Sequence, residues 1–293
     1  MPDIKDKLQQ LAVMATGTDD YLTHEVETQQ TRMARALKRL EKRVVNMAYT
    51  LHKYETTGDV TGWKWTLAQA REFHKQLAAE YESVYGVAAS ANIDQFQQIA
   101  HFVQAQFEEL DVPAAFGQVQ SRTLKALSGQ SYQVYHTLGV DSQNRIAQAV
   151  YDSMIAGISP AELSTRIAGA INGHVDVRGR PLSTYADLYA QDSAMGVYRT
   201  MHLATAEQAG LTHMMYMGTV INDTRAFCRS HLGKVYSLEE IRAMDAQGWN
   251  GKSGPPLTNC GGYNCRHHWQ AVDPEWLKDT DPEEIQAALC SLG

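Results

Sequence analysis

No uncharged apolar run in the chain approaches the ~20 residues that a membrane-spanning helix requires, and no apolar stretch behind Met1 could serve as a signal peptide. A soluble protein, made and kept in a cytoplasm, is expected. Cysteine is scarce: four in 293 residues, three of which, Cys228, Cys260 and Cys265, fall within 38 residues of one another. A secreted disulfide scaffold carries more of them, spread along the chain, so this clustering points to a local site. Positive charge is also short, with 26 Lys and Arg against 33 Asp and Glu and a net charge of -7. That balance argues against wholesale coating of DNA, since counterion release needs clustered cations, and leaves room for a local basic patch. The chain has no G-x-S-x-G elbow, Walker A loop, dinucleotide fingerprint or H-E-x-x-H helix, and no enzymatic activity is expected. What is present is ordinary globular composition, 44% hydrophobic and 20% charged, enough for one large domain or two of common size.

To about residue 209 the pattern is helical. Met33, Leu37, Leu40, Val44, Met47, Leu51 and Tyr54 recur at alternating spacings of 4 and 3, the seam of a coiled coil over three heptads. The run stops at Thr56, Thr57 and Gly58. A second stripe, Trp63, Leu67, Ala70, Phe73, Leu77, Tyr81 and Val84, then predicts a helix folding back on the first as an antiparallel hairpin. Further helices are expected over 93–110, 118–138, 141–156, 159–171 and 182–209. Ser159, Pro160 and Glu162 supply an N-cap, a first-turn proline and a capping-box acid for one of them. Residues 173–181 break the pattern as a loop or short hairpin.

After Gly210 short strands are predicted over 213–218, 234–236 and 266–272, with Ser237 and Glu240 forming a capping box for a helix to about Ala246. Between them, 248–263 is rich in Gly, Pro, Asn and Ser. A loop of that length is uncommon in a compact domain unless function or a metal holds it. The fold class expected is therefore mainly α, a long hairpin and helical bundle with a small C-terminal α+β part. The divisions fall at 1–147, 148–209 and 210–293.

The sharpest chemistry is Cys228-x2-His231 followed, after 28 residues, by Cys260-x4-Cys265-x-His267, with His268 adjacent. Thiolate and imidazole are the donors zinc prefers, and two ligand pairs flanking a loop are how structural zinc sites pin irregular backbone. Five candidates, Cys228, His231, Cys260, Cys265 and His267, compete for about four places. A metal would stabilise an end-piece with little core of its own. The alternatives are a disulfide between Cys260 and Cys265, or thiols that merely pack. Asp223 and Arg225 either pair to fix the approach to this site or stand on a surface turn.

A basic run, Arg32, Arg35, Lys38, Arg39, Lys42 and Arg43, flanks the heptad seam. Such positions are usually the solvated flanks of a coiled coil; the sharper reading is contact with nucleic acid or an acidic partner.

The stretch from about Gln148 to Trp269 resembles the Mu F-like phage head morphogenesis proteins, also called minor head or minor capsid proteins. The resemblance lies in AGISPAELSTRIAG, YRTMHLATAEQAG, MMYMGT, NDTRAFCRSHLGKVY and GPPLTNCGGYNCRHHWQAV. The family's pattern is an Asp-x-Arg-x-x-Cys opening, a second Cys or His three residues on, a Gly shortly after, and a Pro-rich approach to an Asn-Cys-Arg-Cys or Asn-Cys-Arg-His ending. It falls here on Asp223, Arg225, Cys228, His231, Gly233, Pro255, Pro256, Asn264, Cys265, Arg266 and His267. His231 stands where cysteine is frequent, and Cys260 with its Gly-Gly-Tyr departs from the common spacing. The first 147 residues match only in general character. The resemblance implies a non-enzymatic virion protein of few copies, at the portal vertex inside the head of a tailed bacteriophage. Its role would be in head morphogenesis, DNA packaging or genome ejection. The partners implied are the portal protein and other head proteins, with non-specific contact to packaged double-stranded DNA, no membrane, and self-association through the N-terminal helices.

Two functions of other classes compete. One is a zinc nuclease of the His-metal-finger sort with His267 or His268 as base, which needs an open metal position where this Cys-rich set reads as closed. The other is a helical DNA-binding module using the basic run, opposed by the net charge of -7.

Overall fold

Proline is missing from long stretches of the N-terminal two-thirds, so nothing there removes a ladder donor or clashes with the preceding turn, and helices run on. A computed structural model describes residues 4–53, 67–113, 117–156, 160–172 and 182–277. Its helices α1 (Ile4–Lys53), α2 (Leu67–Glu109) and α3 (Gln118–Ala156) are followed by α4 (Pro160–Asn172) and α5 (Leu182–Gln208). The breaks expected between 84 and 93 and between 138 and 141 do not occur, since α2 and α3 pass through both intervals. Gly86 and Gly139 each weaken a helix by only about 1 kcal/mol relative to Ala, and tertiary contact outweighs it. Near the first expected break, buried Asn92 donates to Ser131 Oγ at 3.0 Å.

The chain divides into two compact units that are not consecutive segments. One comprises 28–93 and 129–190, the other 1–27, 94–128 and 191–293.

In the 28–93/129–190 unit the heptad seam is core. Met33, Leu37, Leu40, Val44 and Ala48 of α1 cluster with Ala70, Phe73, Leu77, Tyr81 and Val84 of α2, and with Ile146, Val150, Leu163 and Ile167 from α3 and α4. The hairpin partner expected of the seam is thus supplied within the chain. Ala48 takes a core place, while Met47 is only half-buried. Tyr54, the stop at 56–58, Trp63, Ser159 and residues 173–181 lie outside the described residues. The basic run is exposed throughout, with Arg43 bonded to Glu80 at 2.8 Å.

In the other unit α1 and α2 also run antiparallel. Gln10 Nε2 donates to the Glu109 carbonyl, Gln106 Nε2 to Thr18 Oγ1 and Gln95 Nε2 to the Glu25 carbonyl. Here Leu22, Val26, Phe96, Ile99, Val103 and Phe107 pack with Tyr198 and Met201 of α5. The C-terminal elements are β1 (His213–Met217), α6 (Ala226–His231), β2 (Val235–Ser237), α7 (Leu238–Ala243), α8 (Pro256–Asn259) and β3 (His268–Val272). The strands form an antiparallel sheet in the order β2-β1-β3, with Met214 opposite Tyr236 on one side and Ala271 on the other. Alternation along β1 sends Met214 and Tyr216 into the main core and Met215 and Met217 against Leu11 and Met14 of α1. Central β1 is therefore covered on both faces. The expected capping box is present: Ser237 Oγ accepts from the Glu240 amide at 3.2 Å, and Glu240 Oε2 accepts from the Ser237 amide at 2.7 Å.

Edge strand β3 is protected from α5. The Ala271 amide donates to His202 Nε2 at 2.9 Å, with the imidazole held between Phe107 and Tyr198. Accepting that bond requires neutral imidazole, and burial pushes His202 down to about 3. Between that value and the ordinary 6.5 the unfolded chain binds a proton that the folded chain refuses, so stability rises with pH there and is complete above 6.5. Acid should cost this unit about 1 kcal/mol per pH unit below 6.5 through His202 alone. Urea titrations of the parent and His202→Gln at several pH values check this. The variant should show a shallower acid slope.

Candidate metal centre

Three of the five candidates come together. Cys228 lies on α6 just beyond β1, whereas Cys265 and His267 lie on the segment leading into β3. Their ligand atoms all fall within 4.8 Å of one another and all three residues are buried. The two sulfurs are 3.8 Å apart, and Cys265 Sγ is 3.7 Å from His267 Nδ1. Tetrahedral zinc with bonds of ~2.3 Å to sulfur and ~2.0 Å to nitrogen separates its ligands by about 3.8 Å (S to S) and about 3.5 Å (S to N). The two distances just given match that spacing, and the third lies within 4.8 Å. The ring's other nitrogen, His267 Nε2, is buried with no hydrogen-bond partner among the described residues.

The other candidates sit apart from this group. His231 Nδ1 lies 2.7 Å from the Tyr236 hydroxyl, and its ring packs on Phe227. Cys260 is fully buried at a positive φ of 49°, its thiol pushed up to about 12 by burial. His268 points away to the Tyr198 ring and lies 3.8 Å from Asp19. Cys228, Cys260 and Cys265 are free thiols, and Cys290 lies outside the described residues. The Cys228 and Cys265 pair shares a proton. The hydrogen bond between them holds Cys265 well below and Cys228 well above the ordinary thiol range.

The 248–263 loop, for which function or a metal was the expected support, is held by hydrogen bonds within the protein. Trp249 Nε1 donates to the Gly261 carbonyl at 2.9 Å, Trp269 Nε1 to the Pro256 carbonyl at 2.8 Å, and Arg225 Nη2 to the Tyr263 carbonyl at 2.6 Å. Arg225 thus clamps the loop, while Asp223 stands on an exposed turn closed by Thr224 on Ile221. Asp192 of α5 accepts the Asn264 amide at 2.7 Å. Beneath lies Arg199, whose Nη2 donates to the carbonyls of Cys265 and His267, both at 2.6 Å, and whose Nε donates to His267 at 2.9 Å. Sequence reasoning missed Arg199, Asp192 and Tyr216. The one local signal was a cation on an otherwise apolar helix face with Met195, Tyr198 and His202.

No family model, curated protein or solved structure matches the chain.

Backbone also shapes the site. At Gly261 any Cβ would sit inside the Cys228 sulfur and 3.2 Å from that of Cys265, and at Gly262, with φ of 100°, it would strike the Gly251 carbonyl. Gly261→Ala should therefore displace the thiols and abolish stoichiometric metal binding while leaving far-UV CD near that of the parent. Retention of a full equivalent of metal would show that this close approach has no such role.

Proposed function

We propose that the chain is a minor head protein of a tailed bacteriophage, bound at the portal vertex inside the head, and that Cys228, Cys265 and His267 hold a structural zinc ion. One observation carries the reading. The two halves of the motif that resembles the Mu F-like family are far apart in sequence, yet Cys228 meets Cys265 and His267, and Arg225 of the first half binds the backbone beside Asn264 of the second. A motif chosen for its resemblance thus has a common physical purpose. Zinc at these residues would join α6 to the entry of β3 across the loop. Among the described residues no helix is long and apolar enough to cross a membrane, in keeping with a head protein that works beside DNA and protein. The long helices would serve assembly contacts with the portal and other head proteins.

Particles purified by density gradient after induction of the phage that encodes the chain test the assignment. The protein should co-purify with heads at a few copies per portal, and its deletion should lower the yield of infectious particles without stopping capsid-protein synthesis. Its absence from purified particles would overturn the assignment.

Zinc is tested separately. The purified chain should carry about one equivalent, lost in Cys228→Ser and Cys265→Ser and kept in Cys290→Ser. Affinity should fall in acid, because the ligand thiols must lose protons to bind. A chelator should make the segment after Gly210 protease-sensitive while α1–α4 survive.

A further inference from the structure

The three ligand residues share one further property: all of them line the same pocket, of about 260 Å³. Thr219, Asp223, Arg225, Asn250, Asn264 and Arg266 supply polar wall. The opposite side of the cluster is filled. The Tyr216 hydroxyl lies 3.3 Å from Cys228 Sγ and 3.9 Å from Cys265 Sγ, Gly261 stands so near that a Cβ there would clash with both sulfurs, and neither residue lines the pocket. A tetrahedral ion bound by three side chains has one position left, which a non-protein donor can fill even where the ion's main effect is to join two parts of the backbone.

We infer that the fourth coordination position of the ion held by Cys228, Cys265 and His267 opens into this pocket and takes a small anionic oxygen donor, a carboxylate or a phosphate. The inference rests on the zinc reading above. Charge selects the class of ligand. Two thiolates neutralise a divalent ion, and the wall then carries Arg225 and Arg266 against Asp223, an excess of one positive charge. Arg225 spends one guanidinium nitrogen on the Tyr263 carbonyl, and Arg266 is exposed at the rim. Size selects too: the pocket falls below the ~300 Å³ at which drug-sized sites begin, so the ligand is small or is the end of a longer chain. Tyr216 has a separate part, its hydroxyl donating to Cys228 from behind and orienting that thiolate. Binding is simple ligand exchange, in which the anion displaces a metal-bound water that leaves to solvent, with no change of oxidation state.

The test uses the full chain reconstituted with Co²⁺, whose visible bands report the ligand set and whose near-ultraviolet charge transfer counts thiolates. Acetate and, separately, inorganic phosphate are titrated in. The visible bands should shift saturably with at least one anion while the two-thiolate charge transfer persists. Arg266→Ala should weaken that anion severalfold, and Cys260→Ser should leave the response unchanged. A stoichiometric cobalt complex whose bands ignore both anions would overturn the open position, and a charge-transfer loss in Cys260→Ser would then identify Cys260 as the closing ligand. If neither cobalt nor zinc binds, the zinc reading fails and this inference fails with it.

Discussion

Arg199→Met is expected to destabilise the unit that carries the sheet by about 3–5 kcal/mol, the usual cost of breaking a buried, paired charge network. The guanidinium is fully buried on α5 and makes three short bonds to two carbonyls, those of Cys265 and His267. Its charge is met by the Cys265 thiolate and by Asp192, so removing it strands acceptors and anions together. Methionine matches the stem but donates nothing, which leaves buried carbonyls unsatisfied on the segment that holds two of the three candidate ligands. For a unit of this size the loss corresponds to a fall in Tm of about 10 °C. Lysine is no remedy, because a single ammonium cannot reproduce a planar fork that spans two carbonyls. Thermal denaturation with and without saturating zinc decides the matter. A shift below about 2 °C in both conditions would show that the loop is held by other means.

Arg199 also marks the limit of what could be read from the chain. Its acceptors lie 66 and 68 residues downstream, and its place on an otherwise apolar helix face hints that it turns inward without saying what it meets. Tyr216 is hidden for a similar reason. Alternation placed it in a strand, but its hydroxyl meets sulfurs from a helix and a loop that the strand pattern says nothing about. Where the signal is local, sequence and structure agree closely. The capping box at Ser237 and Glu240 is formed as read, and the three strands differ from expectation by no more than two residues at an end. Helix ends inside long polar stretches were not legible, since a glycine penalty is smaller than the packing that overrides it.

The metal candidates show the same division. Spacing brought Cys228, Cys265 and His267 into one set with His231 and Cys260, because all five are ligand types in a short span. Which of them converge depends on side-chain direction. His231, three residues after Cys228 on a six-residue helix, meets the Tyr236 hydroxyl, and Cys260 enters the loop at a left-handed backbone angle that departs from ordinary strand or helix. Neither direction can be inferred from spacing.

Leu40→Glu should cost several kcal/mol in the other unit, about as much as the arginine change. Leu40 is fully buried, with Leu37, Val44, Phe73 and Leu77 in the same cluster. Truncating such a leucine costs about 2–5 kcal/mol, and a carboxylate adds desolvation with no partner in this apolar seam. Burial would raise the pKa of the new carboxyl in the folded state, so there the folded chain holds a proton that the unfolded chain releases. Relative to the parent at each pH, the variant should therefore be least harmed in acid and increasingly harmed as pH rises through the ordinary carboxylate range. Lys38→Glu, two residues away on the exposed flank, places a carboxylate in solvent and removes a cation as well, yet should change stability by no more than about 0.5 kcal/mol. Far-UV CD melts report both variants, and sedimentation separates the two uses of a heptad seam. Because the stripe is buried within the chain, Leu40→Glu should lower the melting temperature without dissociating an oligomer. A seam that instead joins separate chains would show dissociation first, at protein concentrations where the parent remains associated.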